Sequence, residues 1–266
     1  MPMKGIPVYQ VDAFTDRPYG GNPAAVCLLS RPREERWMQA VAAEMNLSET
    51  AFLLPEGENY RLRWFTPTME VDLCGHATLA AAHLLWEEGM VPEGRAISFQ
   101  TRSGILRAVQ RQGWIELDFP AEPPEVAVPP PGLEGALGVE FSYVGRNRMD
   151  LFVEIPSAKL LRTLDPDLHF LAALPVRGII VTAPSDVEGV DFLSRFFAPG
   201  AGIPEDPVTG SAHCALAPYW GRILQKSFLA ARQVSPRGGA LRVRCAGERV
   251  ILGGKAVTVL KGEFLR

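Results

Sequence analysis

Apolar positions alternate with polar ones through most of the chain, and at two places half the chain apart they give way to alanine-rich runs that open on glycine. VYQVDAF from Val8 and AAVCLL from Ala24 read as a hairpin-like strand pair around the turn-rich DRPYGGNP. A helix follows from Arg33 to Met45, with Trp37, Met38, Val41 and Met45 at helical spacing, and it stops at NLSET. AFLLP and YRLRWFTP return to alternation. The stretch from His76 to Glu88 is apolar on most sides, which predicts a buried helix at the centre of the first half. AISFQTRSGILRAVQRQ and WIELDFP complete that half as strands. The second half repeats the order: strands in YVGRNRMDLFVEIP, a helix over LRTLDPDLHFLAAL, strands in GIIVTAP and FLSRFFAP, a helix from Ser211, then ALRVRCAG and RVILGGKAVTVLKGEFL as strands. Strand-rich halves around one helix each predict an α+β fold of two pseudo-symmetric domains.

The repeat is legible in the letters. RWFTPTMEVDLCGHATLAAAHLL from Arg63 is echoed by RFFAPGAGIPEDPVTGSAHCALAPYW from Arg195. In each copy an Arg-aromatic-Phe strand leads through a proline loop with an acid to glycine and a helix. The expected domains are 1–122 and 133–266, joined by a proline-rich linker at 123–132, with the last strand able to return to the first domain. The helix starts at Gly75 and Gly210, with the amides of Ala77 and Ala212 beside them, are candidate anion-binding positions, because the first amides of a helix have no acceptor within it.

Composition narrows the partners. With 266 residues, 47% hydrophobic content, 21% charge and a net charge of −3, the chain has the make-up of a soluble globular protein. No basic run suits nucleic acid, and no apolar stretch reaches the length of a membrane span. Met1 to Gly5 is too polar and short for a secretory signal, so the expected compartment is the cytoplasm. Cys27, Cys74, Cys214 and Cys245 lack CxxC spacing, so no metal is expected; three read as small buried hydrophobes, and Cys74 stands apart just before Gly75.

A duplicated scaffold keeps what both copies need to fold, so differences between the copies point to chemistry. Aligning the prolines of AFLLP and IIVTAP sets Glu49 opposite Gly178; aligning the glycines sets His76 opposite Ser211. Glu205 and Asp206 form an acid pair that Asp72 echoes only in part. Each residue has two readings. Glu49 is a proton-transfer carboxyl raised in pKa at the lip of a core, or a solvated turn residue. His76 is a neutral imidazole at a helix start, or a cap. Asp206 and Ser211 are site residues, or an Asp-Pro turn and an ordinary helix N-terminus; Asp72 reads as structural.

The motifs VDAFTDRPYGGNPAAV, NLSETAFL, RWFTPTMEVDLCGHATLAAAHLL and EDPVTGSAHCAL, in this order from Val11 to Leu216, resemble the PhzF-like family of phenazine-biosynthesis isomerases, which has the diaminopimelate epimerase fold. The resemblance implies two similar domains, each a strongly curved, mostly antiparallel sheet or barrel around a central helix, with a cofactor-free site in the cleft between them. It implies that Glu49 shuttles a proton between carbons of a small unsaturated or cyclic carboxylate, with His76 and Asp206 as catalytic neighbours. Ser211 and the amides about Gly75 and Gly210 would bind the substrate, and the enzyme would be a homodimer. Two other functions compete: a thiol-based amino-acid racemase or epimerase using Cys74, and a non-catalytic protein that captures small carboxylates. Whether the loop from Tyr19 to Pro23 closes over a ligand is left open by the sequence.

Overall fold

The computed structural model describes residues 5–265; residues 1–4, within the stretch read as unlike a secretory signal, and residue 266 lie outside the described residues. The described chain forms two compact units. One is Phe119–Leu252, and the other comprises the residues before it, up to Asp118, together with those from Gly253 onward.

In the first unit, β1 (Ile6–Ala13), β2 (Asn22–Leu28), β3 (Glu49–Glu56), β4 (Asn59–Phe65), β6 (Ile97–Thr101), β7 (Gly104–Arg111) and β8 (Trp114–Pro120) follow one another as sheet neighbours, and the two-residue β5 (Glu70–Val71) pairs with the end of β4. β2 and β3 run parallel, as do β4 and β6, and a parallel pair needs a crossover. α1 (Glu35–Met45) and α2 (Gly75–Glu87) are those crossovers. α1 buries Met38, Val41 and Ala42 against Ala25, Cys27, Phe52 and Phe65, and it ends at Asn46, whose left-handed φ of 50° lets its amide return to the Ala42 carbonyl. α2 is buried on nearly every side, with Leu79, Ala80, Ala81, Leu84 and Leu85 wholly inaccessible. Each such leucine contributes about 2 kcal/mol of burial, so packing rather than intrinsic propensity holds this helix. Gly254 presses on α2: a Cβ there would lie 2.6 Å from Leu79 and 2.5 Å from Phe14.

The second unit repeats the plan. β10 (Tyr143–Arg146), β11 (Asp150–Glu154), β12 (Gly178–Pro184), β13 (Phe192–Phe197), β14 (Phe228–Gln233) and β15 (Gly239–Ala246) are neighbours in turn, with β11–β12 and β13–β14 parallel, and β16 (Arg249–Gly254) follows in the chain. The crossover from β13 to β14 is α6 (Gly210–Leu224), the counterpart of α2. Pro218 lies inside α6 and has no amide to give the Cys214 carbonyl four residues back; that carbonyl instead accepts the Glu122 amide at 2.9 Å. β11 and β12 are bridged by α4 (Ala158–Arg162) and α5 (Leu168–Ala172), preceded in the chain by α3 (Leu133–Leu137). Leu161, Leu171, Val153, Val181 and Leu193 meet in the core beneath them.

Two expectations need correction. The helix expected over LRTLDPDLHFLAAL is two short helices, because Pro166 interrupts the run and the Asp167 carboxylate caps α5 by accepting the amides of His169 and Phe170. The linker expected at 123–132 contains β9 (Glu125–Val126), which pairs with β10. The chain from Gly253 onward leaves the second unit: β17 (Ala256–Phe264) pairs antiparallel with β1 from Ile6↔Phe264 to Ala13↔Ala256, with a bulge at Gln10/Val11. This ladder covers the edge of β1 that β2 leaves open. No helix among the described residues is long and apolar enough to cross a membrane.

Candidate active site

Both central helices begin without a side-chain cap. Cys74 and Thr209 occupy the N-cap positions in extended backbone, and neither side chain bonds the amides that follow. The first amides of α2 at Gly75, His76 and Ala77, and of α6 at Gly210, Ser211 and Ala212, therefore keep their donors and the positive end of the helix dipole for something else. The two starts share one further device: the side chain four residues after the cap binds the cap's carbonyl. Thr78 Oγ1 donates to Cys74 O at 2.5 Å, and His213 Nδ1 donates to Thr209 O at 2.8 Å.

The loops that deliver these helices are held alike. Arg63 in β4 makes a two-pronged pair with Glu70, 2.6 Å on each prong, and lies over Phe65; Arg195 in β13 does the same with Glu205 at 2.7 and 2.8 Å and lies over Phe197. Glu70 and Glu205 each stand five residues before the helix glycine. The counterpart of Glu205 is thus Glu70 and not Asp72, and Asp206 falls opposite Val71. Asp206 is therefore a true departure from the repeat. Strand registers likewise set Glu49 opposite Gly178, since Thr50↔Phe65 in one unit corresponds to Ile179↔Phe197 in the other. A Cβ on Gly178 would lie 2.3 Å from the Phe196 ring, so the second unit has no room for a side chain where the first carries its glutamate.

In the first unit, Glu49 opens β3 beside Ala24 of β2, and its half-buried carboxylate lies 3.2 Å from Nε2 of His76. That separation is within ion-pair reach, but the oxygen is out of line for a ring N–H bond, and Nε2 has no hydrogen-bond partner among the described residues. The other ring nitrogen faces the Asn22 amide at 3.3 Å and the Cys74 sulfur at 3.5 Å. Burial pushes the His76 pKa down to about 3, so the imidazole is neutral at physiological pH. With the Asn22 NH2 donating to Nδ1, the ring proton sits on Nε2, towards Glu49. Asn22 begins β2 and pairs in register with Ala13; upstream, the Tyr19 amide donates to Asp12 at 2.7 Å. Tyr19 itself points outward at 79% exposure.

In the second unit, Asp206 is 9% exposed and accepts a short hydrogen bond from the Thr209 hydroxyl. Gln233 ties the turn together, donating to the Asp206 carbonyl at 2.7 Å and accepting the Thr209 amide at 2.8 Å. Ser211 is half-buried on the first turn of α6. The structure thus brings together Glu49, His76, Gly75 and Ala77 within one unit, and Asp206, Gly210, Ser211 and Ala212 within the other. Sequence reasoning named neither Asn22 nor Gln233. Asn22 had a signal in GGNP at the head of a strand, whereas Gln233 lies in β14, a strand whose pattern was not recognised.

Of the cysteines, Cys27 and Cys214 are buried with thiols pushed up to about 12, chiefly by burial, and Cys245, expected in the core, is half-buried. Cys74 has Thr209 as its counterpart in the repeat, so the second unit offers a hydroxyl where a two-thiol racemase needs its other sulfur.

The PhzC-PhzF family model, described as phenazine biosynthesis-like protein, matches residues 11–262. An uncharacterised isomerase of Halalkalibacterium halodurans is 53% identical over 264 residues, which cover 99% of this chain and 100% of that protein. A crystal structure of a phenazine biosynthesis protein of the PhzF family from Enterococcus faecalis aligns with a TM-score of 0.94 at 46% identity, covering 98% of this chain and 99% of that one. A probable proline racemase from Agrobacterium radiobacter, 12% identical with a TM-score of 0.66, is similar in fold alone, covering 97% of this chain and 92% of its own. The sheet-dominated α+β class read from the sequence is the class of these folds.

Proposed function

Because the chain belongs to the PhzC-PhzF family of phenazine biosynthesis-like proteins and is an isomerase, we propose that it moves a proton between carbons of a small unsaturated or cyclic carboxylate, with Glu49 as the general acid and base. The observation that carries this reading is the Glu49 carboxylate set against a buried, neutral His76 at an uncapped helix start, at a position where the repeat has glycine. Glu49 would remove a proton from a carbon next to the conjugated system. The electron pair left behind spreads into the double bond and carboxylate, and the protonated Glu49 returns its proton to another carbon of that system. The anion formed on the way would be stabilised by the helix amides at Gly75, His76 and Ala77, and the Nε2–H of His76 supplies a donor beside the carboxylate. Asp206, Ser211 and the amides of Gly210 and Ala212 are assigned to holding the substrate. No metal or organic cofactor is required by this chemistry.

Small unsaturated carboxylates, including hydroxyanthranilate-like dienes, are to be incubated with the protein in heavy water and carbon-bound deuterium followed by NMR. Exchange should fall by at least about 100-fold in Glu49→Gln while Cys74→Ala keeps a measurable rate. Exchange that survives Glu49→Gln and vanishes in Cys74→Ala would replace the glutamate by the thiol.

A further inference from the structure

We propose that Glu49, Cys74 and His76 form a zinc-binding site, and that Zn²⁺ captured there disables the carboxylate. One donor atom from each of these residues, a carboxylate oxygen, the thiol sulfur and a ring nitrogen, lies within 4.8 Å of the other two. A tetrahedral zinc ion, with bonds of about 2.0 Å to nitrogen and oxygen and about 2.3 Å to sulfur, sets its donors about 3.3–3.6 Å apart. The His76 Nε2 to Glu49 separation is already 3.2 Å, and the Cys74 sulfur lies 3.5 Å from Nδ1, the other nitrogen of the same ring. The adjustment needed is rotation of the Glu49 carboxylate and a swing of the Cys74 thiol from the Nδ1 side of the ring towards Nε2.

Two features single out this trio. Nε2 of His76 is buried, lacks a hydrogen-bond partner among the described residues and lies beside the Glu49 carboxylate. Its second nitrogen already meets Asn22, whose amide, turned over, can accept from Nδ1–H once the ring proton has moved there from Nε2, leaving the Nε2 lone pair for the metal. Histidine ligands are commonly oriented by such a partner. The mixture of thiolate, imidazole and carboxylate selects zinc over magnesium or calcium, which favour oxygen ligands alone. On binding, the Cys74 S–H bond gives its proton to the buffer and the sulfur takes the metal. Three protein ligands leave a fourth position for water or a carboxylate. An ion held there occupies the oxygen that would otherwise accept the substrate proton, so zinc acts as an inhibitor.

The metal site stands apart from the isomerase reading, since binding is measured without substrate. Full-length protein stripped with EDTA is titrated with ZnCl₂ in competition with a chromogenic chelator, and separately with CoCl₂ while the near-ultraviolet sulfur-to-cobalt charge-transfer absorption is recorded. The expected result is one high-affinity Zn²⁺ per chain, at least tenfold weaker in Cys74→Ser and in Glu49→Gln, unchanged in His83→Gln, with the cobalt band present in the wild type and absent from Cys74→Ser. MgCl₂ should not compete. His83 with Glu87, 3.5 Å apart one helical turn from each other, is the competing site, so zinc lost in His83→Gln overturns the proposal. So does wild-type protein without a cobalt–thiolate band, a measurement that depends on no variant. If zinc binds as stated and proton exchange is insensitive to it, the metal site stands and the role given to Glu49 falls.

Discussion

Acidification should weaken both units through one buried histidine in each. Burial lowers His76 to a pKa of about 3 and His213 to about 4, the latter partly offset by its bond to the Thr209 carbonyl, against 6.5 for an exposed imidazole. The unfolded chain therefore binds protons that the folded one refuses. The stability these histidines contribute is complete above about pH 6.5, is lost as the pH falls below it, and stops falling near the folded values. At pH 5 both folded rings are still neutral while their unfolded counterparts are charged. Roughly 1.5 pKa units at about 1.4 kcal/mol each give about 2 kcal/mol per histidine between pH 7 and pH 5. His83, also lowered mainly by burial, acts with the same sign. Urea unfolding at the two pH values, followed by the fluorescence of buried Trp64 and Trp220, measures the loss. His213→Gln keeps an amide donor for the Thr209 carbonyl and cannot be protonated, so it should lose about 2 kcal/mol less on acidification than the wild type. An equal loss in both proteins, or an imidazole that NMR finds titrating near 6.5, would refute the argument.

The two arginine–glutamate pairs should respond unequally to the same change. Arg195→Met removes the bidentate pair with Glu205 and two bonds to the carbonyls of Leu161 and Leu164, at a cost of about 3 kcal/mol. Arg63→Met should cost about 1 kcal/mol, because Arg102 still reaches Glu70 at 2.7 Å and the Arg63 side chain is more exposed than that of Arg195; equal losses in thermal unfolding would contradict this. Gly178→Ala should cost about 1–3 kcal/mol through collision with the Phe196 ring, and shortening that ring in Phe196→Leu should relieve most of it. A Gly178→Ala protein as stable as the parent would show that the second unit can hold a side chain there after all.

The duplication was legible because both copies must solve the same local problem. An arginine two residues before a phenylalanine has to hold the loop that starts a buried helix, and RWF and RFF preserve that solution in letters. Glu49 stood out for a related reason, since its counterpart is forced to be glycine by Phe196. What stayed hidden depended on partners far along the chain. β14 alternates outward and buried positions, but its outward Phe228 is apolar and its buried Gln233 is polar, so the letters conceal a strand that is held by pairing with β13 and β15. β9 is two residues in a proline-rich stretch, and its strand character comes wholly from β10. The contact of Asn22 with His76 joins residues that no periodicity links. Asp72 was mistaken for the echo of the acid pair because an acid in the right loop resembles a match until the ion pairs reveal that Glu70 fills the role.

The antiparallel ladder between β1 and β17 also sets a timetable for synthesis. Phe119–Leu252 is continuous in sequence and needs no contact from elsewhere in its own unit, whereas the other unit is split and is complete only with the residues from Gly253 onward. The N-terminal half emerges first yet waits longest, holding a bare strand edge in β1 until β17 arrives. Chaperone demand during translation should accordingly fall on the segment made earliest, and a chain released just short of Ala256 would keep that edge bare.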